Sequence, residues 1–407
     1  MQNKRKIIND PLYGFISLPY DIIFDIIESP CFQRLRRIRQ LGLTSMVYPG
    51  AYSTRFHHAI GAMHLAMEAV EVLRTKGVII TEKEREALAI AILLHDIGHG
   101  PFSHSLEHSL VKNINHEELS IMFMKKLNKE HDGKLSLAIE IFQDNYQKHF
   151  LHQLISSQLD VDRLDYLNRD SFYTGVQEGV IGVDRIIKLL NVKDGELVVD
   201  RKGIYSIEKF LVSRRIMYWQ VYLHKTVISA EFLLINILKK AKELALSGEE
   251  LFCSPSLREF LYNDHSKENF VNNPDLLEVF SDLDDYDILS AIKVWKNHNN
   301  YTLSNLCRWM INRRLYKVEI GNEEIPEERI RDLEAKTTES FDFPQEDLSL
   351  AVFTSTVSNV AYDPKKQIKI LNKDGTLSDV IEASDHLNIN SLSMPVKKFF
   401  VCYPKNI

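Results

Sequence analysis

The run Ala87-Leu88-Ala89-Ile90-Ala91-Ile92-Leu93-Leu94 has no polar face. A helix of that composition cannot lie on a surface and must be buried on every side. The chain therefore has to build a core around this segment. Directly after it comes His95-Asp96-Ile97-Gly98-His99-Gly100-Pro101-Phe102-Ser103-His104, which sets three histidines and a carboxylate where burial is deepest. His95 continues the stripe of Leu88, Ala91 and Ile92, so its ring is expected to point inward. A neutral imidazole beside a carboxylate, both short of water, is a natural seat for a divalent cation. Gly98, Gly100 and Pro101 end this helix and let another begin near Ser103.

The pattern elsewhere supports a mainly α fold. Helical periodicity or composition marks residues 19–41, 57–76, 82–97, 103–111, 116–128, 151–170, 183–190, 207–247, 256–264 and 287–296. Turns at Lys193-Asp194-Gly195 and Lys202-Gly203 flank Leu197-Val198-Val199 and predict one small hairpin among the helices. Past about residue 320 the texture alternates, in Leu350–Thr354, Gln367–Leu371 and Lys398–Tyr403. The expected architecture is a helical core over 1–320 and a smaller C-terminal α/β lobe over 321–407, which suits 407 residues.

Composition narrows the partners. A net charge of -6 excludes a broadly basic nucleic-acid coat while leaving local basic patches open. Cys31, Cys253, Cys307 and Cys402 lie far apart with no CxxC pair, which argues against a disulfide framework or zinc ribbon. The basic start of the chain has no apolar stretch behind it, and nothing approaches about 18 uninterrupted apolar residues. A soluble, cytoplasmic protein without membrane contact is the expectation.

A mononuclear site around His95 and Asp96 wants one or two further ligands. Asp162, in Leu159-Asp160-Val161-Asp162-Arg163, is one candidate. The other lies in Thr54-Arg55-Phe56-His57-His58. On a helix starting near Thr54, His58 shares an apolar face with Ala62, Leu65 and Ala69, whereas His57 shares a mixed face with Ile60, His64 and Glu68. Periodicity therefore favours His58. A histidine ending a buried helix is more often a hydrogen-bonded core residue, and a lone Asp162 more often a surface acid. Three segments that are polar where their helices should be apolar point the other way, because buried charge is costly unless paired or coordinated.

Arg55-x-x-His58, His95-Asp96 and Asp162 together resemble the H…HD…D signature of the HD-domain phosphohydrolases. Further segments resemble the deoxynucleoside triphosphate triphosphohydrolase branch of that family. These are Asn9-Asp10-Pro11-Leu12-Tyr13-Gly14, Phe32 to Gly42, Tyr48-Pro49-Gly50-Ala51, His95 to His104 and Asp160 to Asp170. They span roughly residues 7–225, with a weaker echo at 313–317. The resemblance implies one divalent metal ion (Mg, Mn, Fe, Ni or Zn) held by His58, His95, Asp96 and Asp162. It implies that His99, His104 and His116 are further active-site histidines, with His104 as general acid oriented by Glu107. Imidazole titrates near neutrality, which suits proton delivery to a leaving group.

The same resemblance assigns substrate contacts. Arg55 would touch the α-phosphate, Gln40 and Leu41 the 3′ side of a deoxyribose, and Tyr166 and Asp170 the sugar pocket. Asp162, Tyr166 and Asp170 recur every four residues, so one helix side would carry all three. Arg163 stands where a phosphate-binding Lys is usual, and Arg214 matches a phosphate contact. Tyr222, packed below the sugar, would leave no room for a 2′-hydroxyl. Leu223 replaces a Gln that is common near the base. Lys6, Gln33, Arg36, Arg313 and Lys317 fall where some relatives hold an activating nucleotide, with Glu28 in place of an Asp. The alternative for Arg34, Arg36, Arg37 and Arg39 is the solvated face of an amphipathic helix. A dimer or tetramer is implied. The expected function is hydrolysis of deoxynucleoside triphosphates to deoxynucleoside and tripolyphosphate. The alternatives are another phosphate ester as substrate, or a nucleotide-sensing or nucleic-acid-binding scaffold.

Overall fold

The Ala87–Leu94 run is fully enclosed, with no residue of it more than a few per cent accessible. It forms the end of a helix spanning Glu82–Leu94 in a computed structural model that describes residues 6–102, 111, 114–385 and 389–407. Reciprocal capping starts that helix: the Thr81 side chain accepts the Glu84 N–H, and the Glu84 carboxylate accepts the Thr81 N–H at 2.7 Å. A longer helix packs against it, and a third packs on that one. Arg55–Thr75 begins at Thr54, where the His57 ring accepts the Thr54 N–H at 3.2 Å, so His57 is spent on the cap. Val161–Thr174 begins at Asp160, which accepts the Arg163 N–H at 2.7 Å, and stops at Gly175 with φ +75°. The fold is mainly α, with small sheets at its margins.

Several expected helices are broken, each for a local reason. Residues 19–41 form Asp21–Ile27, Pro30–Gln33 and a 3₁₀ turn at Arg34–Arg37, because Ser29 before Pro30 is held extended. Chain 38–40 then runs beside 53–55 through an antiparallel bridge between Arg39 and Thr54. Residues 151–170 divide into His149–Ile155 and Val161–Thr174. Residues 207–247 divide into Ile204–Met217, a π-turn at Tyr218–Tyr222, and Lys225–Leu246. The two arms meet at 56°. Helices at Ser136–Phe142, Asp275–Asp282, Tyr301–Ile311 and Glu327–Ser340 were not evident from periodicity. The helix expected at 103–111 lies outside the described residues apart from Val111. Among the described residues no single helix is long and apolar enough to cross a membrane.

Among the described residues, nine strands make three sheets. β1 (Ile7–Asp10) and β2 (Gly14–Ser17) form an N-terminal hairpin. The expected internal hairpin is β3 (Leu190–Lys193) and β4 (Glu196–Asp200), turning through Asp194 and Gly195, both at positive φ. β4 then pairs in parallel with β7 (Lys369–Leu371), which pairs with β8 (Leu377–Asp379). The C-terminal segment is thereby stitched onto the helical body. β5 (Lys317–Gly321) and β6 (Phe353–Asn359) flank β9 (Val396–Tyr403) in the third sheet. The strand expected at 350–354 starts later, since Leu348–Ala351 is a helical turn.

Candidate metal centre and adjoining cavity

His58, His95, Asp96 and Asp162 converge from three helices. His58 Nε2 lies 3.3 Å from His95 Nε2, 3.1 Å from Asp162 Oδ1 and 3.7 Å from Asp96 Oδ2. His95 Nε2 lies 3.4 Å from Asp96 Oδ1 and 3.6 Å from Asp162 Oδ1. Donors each about 2.0–2.2 Å from one cation would stand roughly 3–3.6 Å apart, which is the spacing of His58, His95 and Asp162, while the Asp96 carboxylate groups with His99 and His116. Burial opposes charge on every member, yet the cluster is held as ion pairs. Hydrogen bonds to Asp162 and Asp165 outweigh burial and raise the His58 pKa to about 10. His95 is also raised, by Asp96 and Asp162 against burial. Asp162 is lowered by His58 and His95, and Asp96 by His95 and then Arg55, again against burial. Two imidazoliums compensating two carboxylates is the arrangement a divalent cation replaces, with release of protons. The donor set fits such an ion.

The neighbours of these side chains aim them. His95 Nδ1 donates to Ile92 O at 2.6 Å, which leaves Nε2 facing the cluster. His58 Nδ1 donates to Asp165 Oδ2 at 2.7 Å. Asp165 in turn accepts from Arg169 Nε at 2.9 Å and Nη2 at 3.0 Å, while Arg169 Nη1 reaches Asp10 at 2.8 Å. His58, Asp165 and Arg169 are wholly inaccessible to solvent. Gly61 makes the room, because a Cβ there would stand 2.1 Å from Asp165 Oδ1. Ser120 Oγ donates to His95 O at 2.8 Å and accepts the Gly98 N–H at 2.9 Å. None of these supports was singled out from the sequence. A glycine one turn after His58, and a second Asp one turn after Asp162, were the signals available.

His99 Nε2 stands 3.3 Å from Asp96 Oδ1, and the His99 ring stacks on His116 with centroids 3.8 Å apart. Burial, then the Arg55 charge, lowers the His99 pKa to about 3, so this ring is neutral throughout the physiological range. His104 and Glu107 lie outside the described residues. A cavity of about 400 Å³ opens on His95, Asp96, Asp162 and His116.

A second cavity of about 310 Å³ brings together Gln40, Leu41, Arg55, Tyr166, Asp170 and Tyr222. Arg55 bridges the two regions through its ion pair with Asp96. Tyr222 OH donates to Asp170 Oδ2 at 2.8 Å, and burial raises the Asp170 pKa to about 7. Asp170 Oδ1 and Gln40 Oε1 are buried acceptors with no donor among the described residues. Tyr218 meets the Tyr222 ring edge-on at 5.1 Å. Arg163 pairs with Asp160, and Arg214 donates to Ala361 O at 3.0 Å; each keeps a buried Nε without a partner among the described residues.

The arginine-rich stretch is a solvated face only in part: Arg36 and Arg37 are exposed and Arg39 is half-buried, but Arg34 is not. Arg34 is fully buried, donating to Ile97 O at 2.7 Å and lying over the Phe280 ring. Arg37 pairs with Asp284. Gln33 accepts from Arg36 Nε at 2.9 Å, and Arg36 lies over the Phe56 ring. Lys6 rests over Phe24. Arg313 donates to Met46 O at 2.8 Å, and Lys317 sits on β5 beside Tyr403.

Residues 55–170 match the HD domain family, and residues 181–252 match the HD associated region. A crystal structure of a phosphohydrolase from Bacteroides thetaiotaomicron is 54% identical in sequence with a TM-score of 0.95, covering 98% of this chain and 100% of that one. A hypothetical protein from Aquifex aeolicus superposes with a TM-score of 0.72 at 27% identity, over 98% of this chain and 97% of that one. YwfO, an uncharacterized protein of Bacillus subtilis, is 35% identical over 77% of this chain and 72% of its own length. The deoxynucleoside triphosphate triphosphohydrolase SAMHD1 homolog of Dictyostelium discoideum is 31% identical over 61% of this chain and 52% of its own.

Proposed function

This chain belongs to the HD-domain phosphohydrolase superfamily, on the branch that includes the deoxynucleoside triphosphate triphosphohydrolases, and from that premise we propose that it hydrolyses deoxynucleoside triphosphates to deoxynucleoside and tripolyphosphate. One observation carries the reading. The His–Asp cluster adjoins, through Arg55, an aromatic cavity holding two buried acceptors that lack donors among the described residues, Gln40 Oε1 and Asp170 Oδ1. Acceptors of that kind suit sugar hydroxyls, which donate. Tyr166 and Tyr222, in edge-to-face contact with centroids 6.3 Å apart, supply a continuous aromatic wall.

His58, His95, Asp96 and Asp162 would hold one divalent ion of the Mg, Mn, Fe, Ni or Zn class. Such an ion supplies Lewis acidity, offsetting charge on a phosphate oxygen and making water a better nucleophile. Arg55 adds fixed positive charge where the α-phosphate would sit, and Arg163 and Arg214 offer their guanidinium edges farther along the phosphate chain. His99 is a neutral and weakly basic ring, so it is assigned a positioning role beside Asp96 and His116 and not the part of the acid. The proton for the leaving sugar oxygen is assigned to His104, with Glu107 orienting it, and His116 to a phosphate contact. Tyr222 fills the space a 2′-hydroxyl would need. Lys6, Gln33, Arg36, Arg313 and Lys317 are proposed to take an activating nucleotide in a homo-oligomer.

The test is direct. Purified protein is incubated with each deoxynucleoside triphosphate and a divalent metal, and the products are resolved for tripolyphosphate. Tripolyphosphate with stoichiometric deoxynucleoside supports the reading. Orthophosphate or pyrophosphate instead, or turnover only of other phosphate esters, overturns it.

A further inference from the structure

Asp285 lies far from the cluster in sequence and was not among the residues expected to matter. It begins the Asp285–Trp295 helix, yet the cap of that helix is the work of its neighbour: Asp284 accepts the Tyr286 N–H at 2.8 Å. The Asp285 side chain is thereby free, and it turns into the protein, 2% exposed. Each of its oxygens accepts one distant backbone N–H. Oδ2 takes Arg39 N–H at 3.0 Å, and Oδ1 takes Phe102 N–H at 3.0 Å. Burying a carboxylate is expensive, and burial raises this one to a pKa of about 6. Two backbone donors in place of a cationic partner is a costly way to hold a fold together, so what they hold deserves a reason.

Both donors belong to walls of the 310 Å³ cavity. Arg39 precedes Gln40 and Leu41, and Phe102 itself lines the cavity along with them. Other backbone bonds hold the first wall as well: Arg55 N–H reaches Ile38 O at 3.0 Å. Gln40 N–H reaches Ser53 O at 2.9 Å across the short bridge at Arg39 and Thr54. Phe102 has φ +49°, a conformation that L side chains rarely adopt. A non-glycine residue held there persists only when its surroundings over-determine it. Here the surroundings include the Asp285 carboxylate and the core in which the Phe102 ring is buried.

We infer that Asp285 is a positioning residue for nucleotide binding, clamping the Gln40–Leu41 wall and the Phe102 wall of the cavity to each other across one buried carboxylate. The inference rests on the proposed function for the identity of the ligand, though not for the clamp itself. It predicts a defect in binding that leaves the metal cluster intact, because none of the four candidate ligands touches Asp285. In Asp285→Asn the amide can accept only one of the two N–H groups and presents its own N–H to the other.

The experiment uses the full chain, as Asp285→Asn and as Asp285→Ala. Amide hydrogen exchange is followed in peptides covering 38–41 and 99–102, with metal content measured on the same samples. For whichever deoxynucleoside triphosphate the wild type turns over best, KM and kcat are then determined. The expected result is exchange at least 10-fold faster in both peptides, unchanged metal content, KM raised about 10-fold and kcat within 3-fold. Unaltered exchange overturns the clamp. Faster exchange with an unchanged KM overturns its role in binding and leaves a purely structural carboxylate. Parallel loss of metal and kcat overturns it too, since the defect would then be global. If Asp285→Ala does not fold, Asp285→Asn carries both readouts. A wild type that hydrolyses no deoxynucleoside triphosphate defeats the proposed function, and exchange still decides the clamp.

Discussion

Asp165 takes the Nδ1 proton of His58 and so leaves Nε2 as the only nitrogen able to face the other three donors. Replacing it with Asn keeps the shape and removes the charge that fixes the tautomer. We expect Asp165→Asn to weaken metal affinity about 10–100-fold, read by competition against a chelator, with helical content unchanged. Affinity equal to wild type would mean that His58 is oriented without Asp165. Gly61→Ala should do similar damage by driving a methyl into Asp165 and Arg169. Replacing His95 and Asp96 together with Ala is expected to abolish metal content and turnover while leaving the circular dichroism of the fold. Full hydrolysis in that double variant would discard the site. Three segments were legible because each is polar where its helix should be apolar, and the resemblance to the H…HD…D signature singled out the four side chains within them. Their supports were not: Asp165, Arg169 and Asp10 look like ordinary charges until the hairpin at Asp10 is folded against the helix at Arg169. A hydrogen-bond partner 159 residues away has no local signal.

At the scale of elements, periodicity found helices and overran their ends. The π-turn at Tyr218–Tyr222 shows why: its residues are as helix-compatible as their neighbours, and the extra residue per turn is set by what the rings pack against. That turn carries Tyr218 and Tyr222 into the cavity. Removing the ring in Tyr222→Ala is therefore expected to relax discrimination against ribonucleotides at least 10-fold, scored as the ratio of kcat/KM for matched deoxy and ribo substrates. A ratio that stays put would refute the steric argument. The helix leading to His95 offers a different test, at its start. Glu84 is buried against Thr81 N–H at 2.7 Å, Tyr146 OH at 2.7 Å and Lys148 Nζ at 2.9 Å. Burial alone would raise its pKa, but Lys148 and the two hydrogen bonds win and hold it at about 2 against the usual 4.5. A folded pKa below the unfolded one stabilises above pH 4.5, and that contribution fades as pH falls toward 2. Its size is about 3 kcal/mol. Glu84→Gln should be less stable than wild type by that order in urea at pH 7, with the gap narrowing at pH 3. A gap independent of pH would show that packing, not charge, is what Glu84 contributes.

On the scale of the whole molecule, the C-terminal segment is joined to the helical body by strand pairing and by side-chain hydrogen bonds. The alternation that marked its strands was visible in sequence, but not the sheet they would join, because β4 and β7 pair across 170 residues of chain. Gln158 shows how tight the join is. Its amide donates to Asp363 O at 2.6 Å and accepts the Asp363 N–H at 2.7 Å, two residues before Asp160 caps the helix that carries Asp162. Arg214 holds the same stretch through Ala361 O. The latch and the metal cluster nevertheless rest on different supports: the first on Gln158 and Arg214, the second on Asp165, Arg169 and Asp10. Gln158→Ala leaves the half-buried Asp363 N–H without its partner and Asp363 O with the Lys366 N–H alone, at a cost on the order of 1 kcal/mol. It is expected to speed limited proteolysis within 360–376 at least 5-fold while metal content stays at the wild-type level. Should metal be lost along with the latch, the two supports are one cooperative unit, and the C-terminal segment would have to be counted among the elements that hold His58, His95, Asp96 and Asp162 together.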